Sequence, residues 1–353
     1  MPVKMDLPGR IQPAPIGGGF AMDGYWVWCG SVIRGDDGRY HMFASRWPGD
    51  EPYLHWAVRS EIVRASSDTP EGPFTFEQVV LGARDGVDAF DARMAHNPAI
   101  TRCGDTYLLF YTGSTFDGPT PSAGDPAWQP DRRWQQSWHN KRIGLAIATS
   151  IAGPWTRPTE PVLPVNPDGW DSVITSNAAP CVHADGSVLL LYKSCSQPHD
   201  PDGRFRGRFR LGAAWADHDT RPFRRLGDQP VLRFDHPDAH VEDPFCWHDG
   251  RIYRAIMKDM TGVIGGEAGA GIAAESADGR HWRLSEPVRA YSRRVRWADG
   301  TITTPAKLER PQLLLRDGRP THLYLATCDS ETGLADATRT WCMVMPLAAR
   351  SGG

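Results

Sequence analysis

One pattern recurs five times along this chain and constrains its fold more than any other feature. Each copy opens on polar residues, runs through an apolar stretch and a turn that usually contains glycine, and ends in a second apolar stretch. Aligned copies lie about 70 residues apart, and repeats of such length are typical of propellers and arrays. The equivalent second positions of the five copies are Cys29, Asn97, Asn177, Asp243 and Arg310.

Each copy is followed by a second hairpin-like pair of runs, as in EIVRASSDTPEGPFTFEQVVL and RIGLAIATSIAGPWTRPTEPVL. Two hairpins per repeat predict a four-stranded antiparallel blade. Five such blades in a ring leave no long exposed sheet edge. We therefore predict an all-β, five-bladed β-propeller of four antiparallel strands per blade, with a pocket at the central axis. One domain would span 1–353, with blades near 26–90, 91–170, 171–235, 236–300 and 301–350.

Two end segments would complete the ring. The run RTWCMVMPL, near the carboxyl end, can supply a last strand for blade five. The first residues of the chain would then close the ring against it.

Composition narrows the class of partner. The 353 residues carry a net charge of −3, which favours neither nucleic acid nor a membrane surface. No apolar run is long enough to cross a bilayer. Seven cysteines without CxxC spacing indicate reduced thiols, and hence a cytoplasmic protein. Removal of a secretion signal would leave the same appearance, and the oligomeric state is not determined by the sequence.

The repeat also predicts where a site would lie. In an antiparallel blade, the polar residues that open each innermost strand converge around the central channel. The loops between the second and third strands surround them, and the longest, from Ser114 to Arg142, carries Trp128, Trp134 and Trp138. A loop of that length is often a lid or a binding element.

The converging side chains combine carboxylates, amides, imidazoles and a guanidinium with tryptophans. Crowded acids can have raised pKa values, which suits proton transfer. Aromatic walls stack on sugar C–H faces while polar groups bind hydroxyls, so the set favours a carbohydrate ligand. The same residues could instead serve only to cap strands or bridge blades. The predicted sugar-binding residues are Trp28, His96, Asn97, Asp171, Asn177, His240, Asp243, Glu309 and Arg310.

The DG-turn hairpins, the GPF and GPW turns (Gly72 to Phe74 and Gly153 to Trp155) and the polar strand openings resemble a known family. They are similar to glycoside hydrolase family 43 and its five-bladed relatives, including the family 117 anhydrogalactosidases, over essentially the whole chain. The resemblance implies a hydrolase with an acid, a base and a third carboxylate. Its acid position is matched by Glu242 in Val241-Glu242-Asp243-Pro244.

Two of the three family positions differ here. Blade one opens on Trp28-Cys29-Gly30-Ser31 and blade three on Asn177-Ala178-Ala179-Pro180, neither with a carboxylate. Asp23 and Asp91 are the alternatives for the base. Asp91 and Asp171 each lie six residues before the aligned asparagine, and both are also common turn or capping residues.

These observations predict a glycoside hydrolase that removes a terminal sugar from a small glycan or glycoside. Glu242 would protonate the leaving oxygen, and Asp23 or Asp91 would activate water. No cofactor is required, although the channel could hold a structural calcium ion. Arg310 could recognise the carboxylate or sulfate of an acidic sugar. Two alternatives stay open: a sugar-binding propeller without catalysis, and a polysaccharide lyase that acts on an acidic sugar.

Overall fold

Five antiparallel sheets of three or four strands, with one short two-stranded sheet, make up the protein in a computed structural model, which describes residues 6–84, 86–125, 131–197, 207–218 and 222–349. The innermost strands are β1 (Tyr25–Arg34), β5 (Met94–Cys103), β8 (Ser176–Val182), β12 (Val241–His248) and β18 (Leu308–Arg316). Each contacts the next in this order, and β18 contacts β1 again. The sheets therefore form the predicted five-bladed ring.

Three blades have the four strands that the sequence predicts. In these blades, the remaining strands are β2 (Tyr40–Pro48), β3 (Glu61–Ser67) and β4 (Thr75–Leu81) in blade one; β9 (Val188–Ser194), β10 (Arg210–Ala216) and β11 (Arg224–Arg225) in blade three; and β13 (Tyr253–Asp259), β14 (Gly271–Ser276) and β15 (Arg283–Tyr291) in blade four.

The prediction of four strands in every blade is wrong for blades two and five, which have three each within the described residues. Blade two adds β6 (Thr106–Ser114) and β7 (Arg142–Ala148) to its inner strand, and blade five adds β19 (Arg319–Cys328) and β20 (Thr340–Pro346). Beyond β7 the chain makes only isolated bridges, Ile147 with Thr156 and Ile143 with Leu163. Four prolines between 154 and 164 cannot donate ladder hydrogen bonds, which explains the interruption.

The ring closes through the beginning of the chain. Phe20 bridges Cys342 of β20, each backbone N–H donating to the other's carbonyl oxygen at 2.9 Å. Ile11 forms a second antiparallel bridge with Leu347. The first residues thus cover the outer side of blade five, as the sequence predicts. A small hairpin of β16 (Val295–Arg296) and β17 (Ile302–Thr303) links blade four to blade five.

The core lies between neighbouring sheets, which explains the uninterrupted apolar inner strands. Successive side chains of a strand point to opposite faces. In β9, Leu189 and Leu191 pack towards blade four, whereas Leu190 and Tyr192 pack towards blade two. Both faces are buried, so the strand reads as a continuous apolar run.

Short helices occupy the loops rather than the blades: α1 (Leu7–Arg10), α2 (Trp56–Arg59), preceded by a 3-10 turn (Tyr53–His55), and α3 (Arg132–His139). Asp131 caps α3 by accepting from the backbone N–H groups of Arg133 and Trp134. The predicted loop residue Trp128 lies outside the described residues. None of the helices in the described ranges has the length and apolar character to span a membrane. All seven cysteines fall within those ranges and are free thiols.

Candidate active site

The five aligned residues of the repeat share an unusual backbone conformation. Cys29, Asn97, Asn177, Asp243 and Arg310 have φ between 51° and 60°. Each is followed at once by a bulge that interrupts pairing with the second strand. Asparagine and aspartate adopt this left-handed conformation readily, whereas arginine and cysteine seldom do. The conformation is held at all five positions by the surrounding ring.

The side chains of these five residues form a hydrogen-bonded chain around the channel. The thiol of Cys29 donates to Asn97 Oδ1 at 2.8 Å, and Asn97 Nδ2 donates to Asn177 Oδ1 at 2.7 Å. Asn177 Nδ2 then donates to Asp243 Oδ1. Asp243 Oδ2 accepts from the backbone N–H of Arg310 at 3.2 Å. The chain connects all five blades and forms the floor of a pocket.

The pocket lies where the inner strands begin and has a volume of about 260 Å³. Loops from several blades surround it, as predicted. Tyr53 and Trp56 come from the first blade, Trp138 and Lys141 from the second, and Phe209 from the third. A larger cavity of about 470 Å³ lies along the later halves of the same inner strands. Its lining is mainly apolar, so the smaller pocket is the candidate site.

Aromatic rings make up one wall of the pocket. Trp56 stacks on His96, with ring centroids 4.9 Å apart, and Tyr53 meets Trp28 edge to face at 5.5 Å. His96 Nδ1 and the hydroxyl of Ser60 are 2.8 Å apart. Burial lowers the pKa of His96 well below its usual value, and the charges of Arg310 and of nearby lysines add to the effect. The imidazole is therefore neutral at physiological pH.

Two glutamates and three lysines line another part of the pocket, beside the aromatic wall. Lys258 Nζ donates to Glu242 Oε1 at 3.2 Å and also to Glu309 Oε1. Lys193 Nζ donates to Glu242 Oε2 at 2.9 Å. Lys307 adds an ion pair to Glu309 at 3.4 Å. The two carboxylates therefore share one ammonium group, and each has a second cation of its own.

These contacts set the charge states of the glutamates. Burial acts to raise the pKa of Glu242, but Lys193 and Lys258 outweigh it and hold that pKa well below the ordinary value. At Glu309, burial also acts to raise the pKa, but the charges of Lys258 and Lys307 outweigh it and lower that pKa. For Asp243 the balance is reversed: burial, together with the charge of Glu242, raises its pKa.

Carboxylate oxygens of Glu242, Asp243 and Glu309 lie within 4.8 Å of one another, a spacing at which they could hold a metal ion. Calcium prefers six to eight oxygen ligands. Here the Lys258 ammonium already bridges Glu242 and Glu309, and Asp243 accepts from Asn177 and Arg310. A calcium ion at this position would have to replace Lys258, so the donor set does not fit it, and no metal enters the function proposed below.

Most of the residues that the sequence predicted for the site meet at this pocket. They are Trp28, His96, Asn97, Asn177, Glu242, Asp243, Glu309 and Arg310.

Four other predicted residues are not part of the pocket lining. Asp23 is exposed in the turn before β1. His240 lies behind the wall, 4.5 Å from Phe209 between ring centroids, and burial lowers its pKa to about 4. Asp91 and Asp171 are fully buried elsewhere in the blades.

Asp91 and Asp171 occupy matching structural positions. Asp91 pairs with Arg84 and Arg157 and accepts from the hydroxyl of Tyr111 at 2.7 Å. Asp171 accepts from the hydroxyl of Tyr192 at 2.8 Å and from an arginine, Arg225, at 2.6 Å. Their equal spacing from the aligned asparagines therefore reflects a repeated tyrosine–aspartate–arginine contact. This placement favours a structural role over that of a base at the pocket.

Sequence reasoning missed two lysines whose ammonium groups contact the glutamates of the pocket. Lys193 and Lys258 stand at equivalent places in the second strands, in LLLYKS and RAIMKD, where Lys258 pairs across the ladder with Glu242. Lys193 pairs with Ser176 in the same way. A lysine at the same point of two otherwise apolar strands was the signal that could have revealed them.

Comparison with solved structures shows the same fold in glycoside hydrolases. The chain superposes on a family 117 glycoside hydrolase from the marine bacterium Zobellia galactanivorans with a TM-score of 0.63, at 17% identity, covering 96% of this chain and 89% of that one. A thermostable family-43 glycoside hydrolase gives 0.61 at 12% identity, covering 94% and 95%. The catalytic domain of a family 62 α-L-arabinofuranosidase from Coprinopsis cinerea gives 0.59 at 12%, covering 97% and 98%.

These likenesses confirm the propeller fold that the repeat and the family resemblance predicted. No protein-family model matches the chain, and no curated protein matches its sequence.

Proposed function

We propose that this protein is a glycoside hydrolase that removes a terminal sugar from a small glycan or glycoside, using Glu242 and Glu309 as its carboxylate pair. The observation that carries the proposal is the position of both carboxylates, joined by Lys258, beside the aromatic wall of one pocket. The solved structures of similar fold are glycoside hydrolases, which supports the same class of reaction.

The size of the pocket supports exo action. Its volume of about 260 Å³ is below the roughly 300–1,000 Å³ of sites for drug-sized ligands. Loops from several blades surround it, so a single terminal unit is a better match than the middle of a long chain.

The spacing of the carboxylates supports a retaining reaction. One oxygen of Glu242 and one of Glu309 lie no more than 4.8 Å apart, which is nearer to the carboxyl separation of approximately 5 Å in retaining enzymes than to the roughly 6.5–9.5 Å of inverting ones. Glu309 would attack the anomeric carbon while Glu242 gives its proton to the leaving oxygen. Glu242 would then take a proton from water as water displaces Glu309, which restores both groups.

Glu242 must gain a proton before it can act as the acid. Lys193 and Lys258 keep it ionised in the free pocket. A sugar that enters between Glu242 and Glu309 would separate at least one ammonium group from Glu242. Loss of that contact raises its pKa, because burial then acts with less opposition.

The test is a screen of nitrophenyl α- and β-glycosides and natural oligosaccharides with wild type, Glu242→Gln, Glu309→Gln and Asp23→Asn. We expect the hydrolysis rate of each glutamate variant to be about 10²–10⁴-fold lower than that of wild type. Asp23→Asn serves as the matched control and should retain it, because Asp23 is exposed and outside the pocket lining. Full activity in Glu242→Gln would refute its assignment.

One further measurement separates the alternatives. Hydrolysis creates a new reducing end, and retention is read from the anomer first formed, by proton NMR. A lyase would instead give an unsaturated product that absorbs in the ultraviolet. Ligand binding without turnover by wild type, unchanged in Glu242→Gln, would favour a sugar-binding propeller.

A further inference from the structure

Of the cationic side chains that the structure describes in the pocket, Lys141 is the one without a carboxylate at ion-pair distance. It stands just before β7, is only 3% exposed and lines the pocket. Its Nζ lies 3.7 Å from the ring centroid of Trp138 and 5.4 Å from that of Trp56. Among the described residues its ammonium group has neither an ion pair nor a hydrogen bond. A buried ammonium group held only by aromatic faces is costly unless an anion joins it.

The other cations of the pocket each have a carboxylate partner. Lys193 pairs with Glu242, Lys258 with Glu242 and Glu309, and Lys307 with Glu309. Arg310 contacts Asp243 at 3.5 Å. Five cationic side chains thus face three carboxylates, which gives the pocket an excess of positive charge when all are ionised.

Arg310 provides an independent observation. Its Nε and Nη2 are buried and have no acceptor among the described residues. These two nitrogens form one edge of the guanidinium fork, which is suited to two oxygens of one acceptor group. Buried donors of this kind are nearly always paired in native proteins. Both nitrogens lie beneath the pocket surface, so Arg310 contributes incompletely compensated positive charge to the floor of the pocket.

The geometry points to a substrate whose terminal sugar carries an anionic oxygen group, a carboxylate or a sulfate ester, that pairs with Lys141. This rests on the proposed function, because it identifies the class of sugar that the same pocket takes. Trp56 and Trp138 flank the ammonium, so the anionic group of the sugar would meet Lys141 at the aromatic side of the pocket. A neutral sugar would leave Lys141 buried without a counter-ion.

The charge state of Lys141 provides a signature of this pairing. Burial, followed by the charge of Lys193, lowers its pKa well below the usual value. An anion beside the amine reverses that effect, so binding takes up a proton at Lys141 at pH values between the pKa of the free pocket and that of the occupied pocket. Across that range, affinity for the acidic sugar should fall more steeply with rising pH than affinity for its neutral counterpart.

The experiment compares matched pairs of sugars: glucuronic acid with glucose, galacturonic acid with galactose, and galactose 6-sulfate with galactose. Binding is measured by titration calorimetry in two buffers of different ionisation enthalpy, which reports proton uptake. The uronic acids and the sulfated sugar are separate arms, so they distinguish the two anions. We expect at least one acidic member to bind about tenfold or more tightly than its neutral partner, with proton uptake.

Lys141→Met tests the assignment, and Lys307→Met is the matched control. Both remove one positive charge from the same pocket, but Lys307 has Glu309 as a partner. Lys141→Met should reduce the preference to about twofold or less and remove the proton uptake that the acidic sugar shows beyond its neutral partner, whereas Lys307→Met should retain both. Lys141→Arg should restore part of the preference.

The inference is overturned if no acidic member binds better than its neutral partner, or if Lys141→Met keeps the full preference. Because these readouts are binding constants, they do not depend on turnover. Hydrolysis of a neutral nitrophenyl glycoside together with no acid preference would leave the proposed function standing and remove only this inference. If Lys141→Met loses the preference for the acidic sugar but wild type cleaves no glycoside, this inference stands and the proposed function falls.

Discussion

Asn97 Nδ2 donates a 2.7 Å hydrogen bond to Oδ1 of Asn177, its counterpart 80 positions later in the next blade. The two residues have φ values of 54° and 51°, so the contact joins equivalent left-handed positions of adjacent repeats. Asn177 extends this series of hydrogen bonds by donating to Asp243 in the following blade. The repeat seen in the sequence is therefore also a set of side-chain contacts at the floor of the pocket.

Replacing Asn177 should destabilise the ring in two separable ways. Asn177→Gly removes the side chain but keeps a residue that tolerates positive φ, so it loses hydrogen bonds only. Asn177→Ala adds the cost of left-handed backbone, about 1–2 kcal/mol. With each buried partner left unsatisfied costing about 1–3 kcal/mol, both variants should unfold at lower urea concentrations than wild type. Equal stability of the two variants would show that the backbone at this position is not strained.

Lys258→Met should leave Glu242 and Glu309, which are partly buried, as neighbouring carboxylates without their shared cation. Removing one partner of a buried ion pair costs about 3–5 kcal/mol. Adding Glu309→Gln to this variant should recover part of the loss, because one negative charge is then gone. Chemical denaturation of the two single variants and the double variant gives the coupling free energy. No recovery in the double variant would contradict the bridging role of Lys258.

Asp91→Asn should reduce stability without reducing the rate constant of the folded enzyme. It removes the carboxylate from the ion pairs with Arg84 and Arg157, at a cost on the order of 3 kcal/mol. Asp171→Asn is the matched variant at the equivalent position in the next blade, and we expect the same behaviour. Thermal unfolding gives the stability, and initial rates well below the unfolding temperature give the activity. A stable but inactive Asp91→Asn variant would instead restore Asp91 as the base.

Buried histidines should make the protein sensitive to acid. The folded-state pKa values of His96 and His240 lie below the unfolded value, so the unfolded chain binds more protons below about pH 6.5. Stability is then fully present above that pH and falls as the pH drops towards the folded-state values, by at most about 1.4 kcal/mol per pH unit for each histidine.

The measurement is urea denaturation between pH 7 and pH 5. His240→Gln should flatten the decline, whereas replacement of the exposed His281 should not. An unchanged slope in His240→Gln would show that this histidine does not titrate on unfolding in that range.

The ring and its five aligned residues followed from sequence because one local structure is repeated. A polar residue, a left-handed residue and a bulge recur in every blade, and each copy leaves the same trace in the sequence. The number of strands in blades two and five was predicted wrongly. In blade two, prolines interrupt the outer ladder but leave an apolar pattern in the sequence. The pairing of Lys258 with Glu242 and Glu309 was also missed, because it depends on register between strands and contacts between blades. Asp91 was predicted as a possible base because the sequence does not show its ion pairs with Arg84 and Arg157, which form only in the folded chain.

Because Phe20 pairs with Cys342, the ring can close only after β20 has been synthesised. Antiparallel pairing between these residues joins an early segment to one that is synthesised about 320 residues later. Four blades are therefore complete while the circle is still open, and the outer edge of β19 has no partner until β20 emerges. During that interval an unpaired strand edge is available to other chains. Pairing of the last strand removes this exposed edge. A truncation before Thr340 should therefore accumulate in inclusion bodies rather than as active protein.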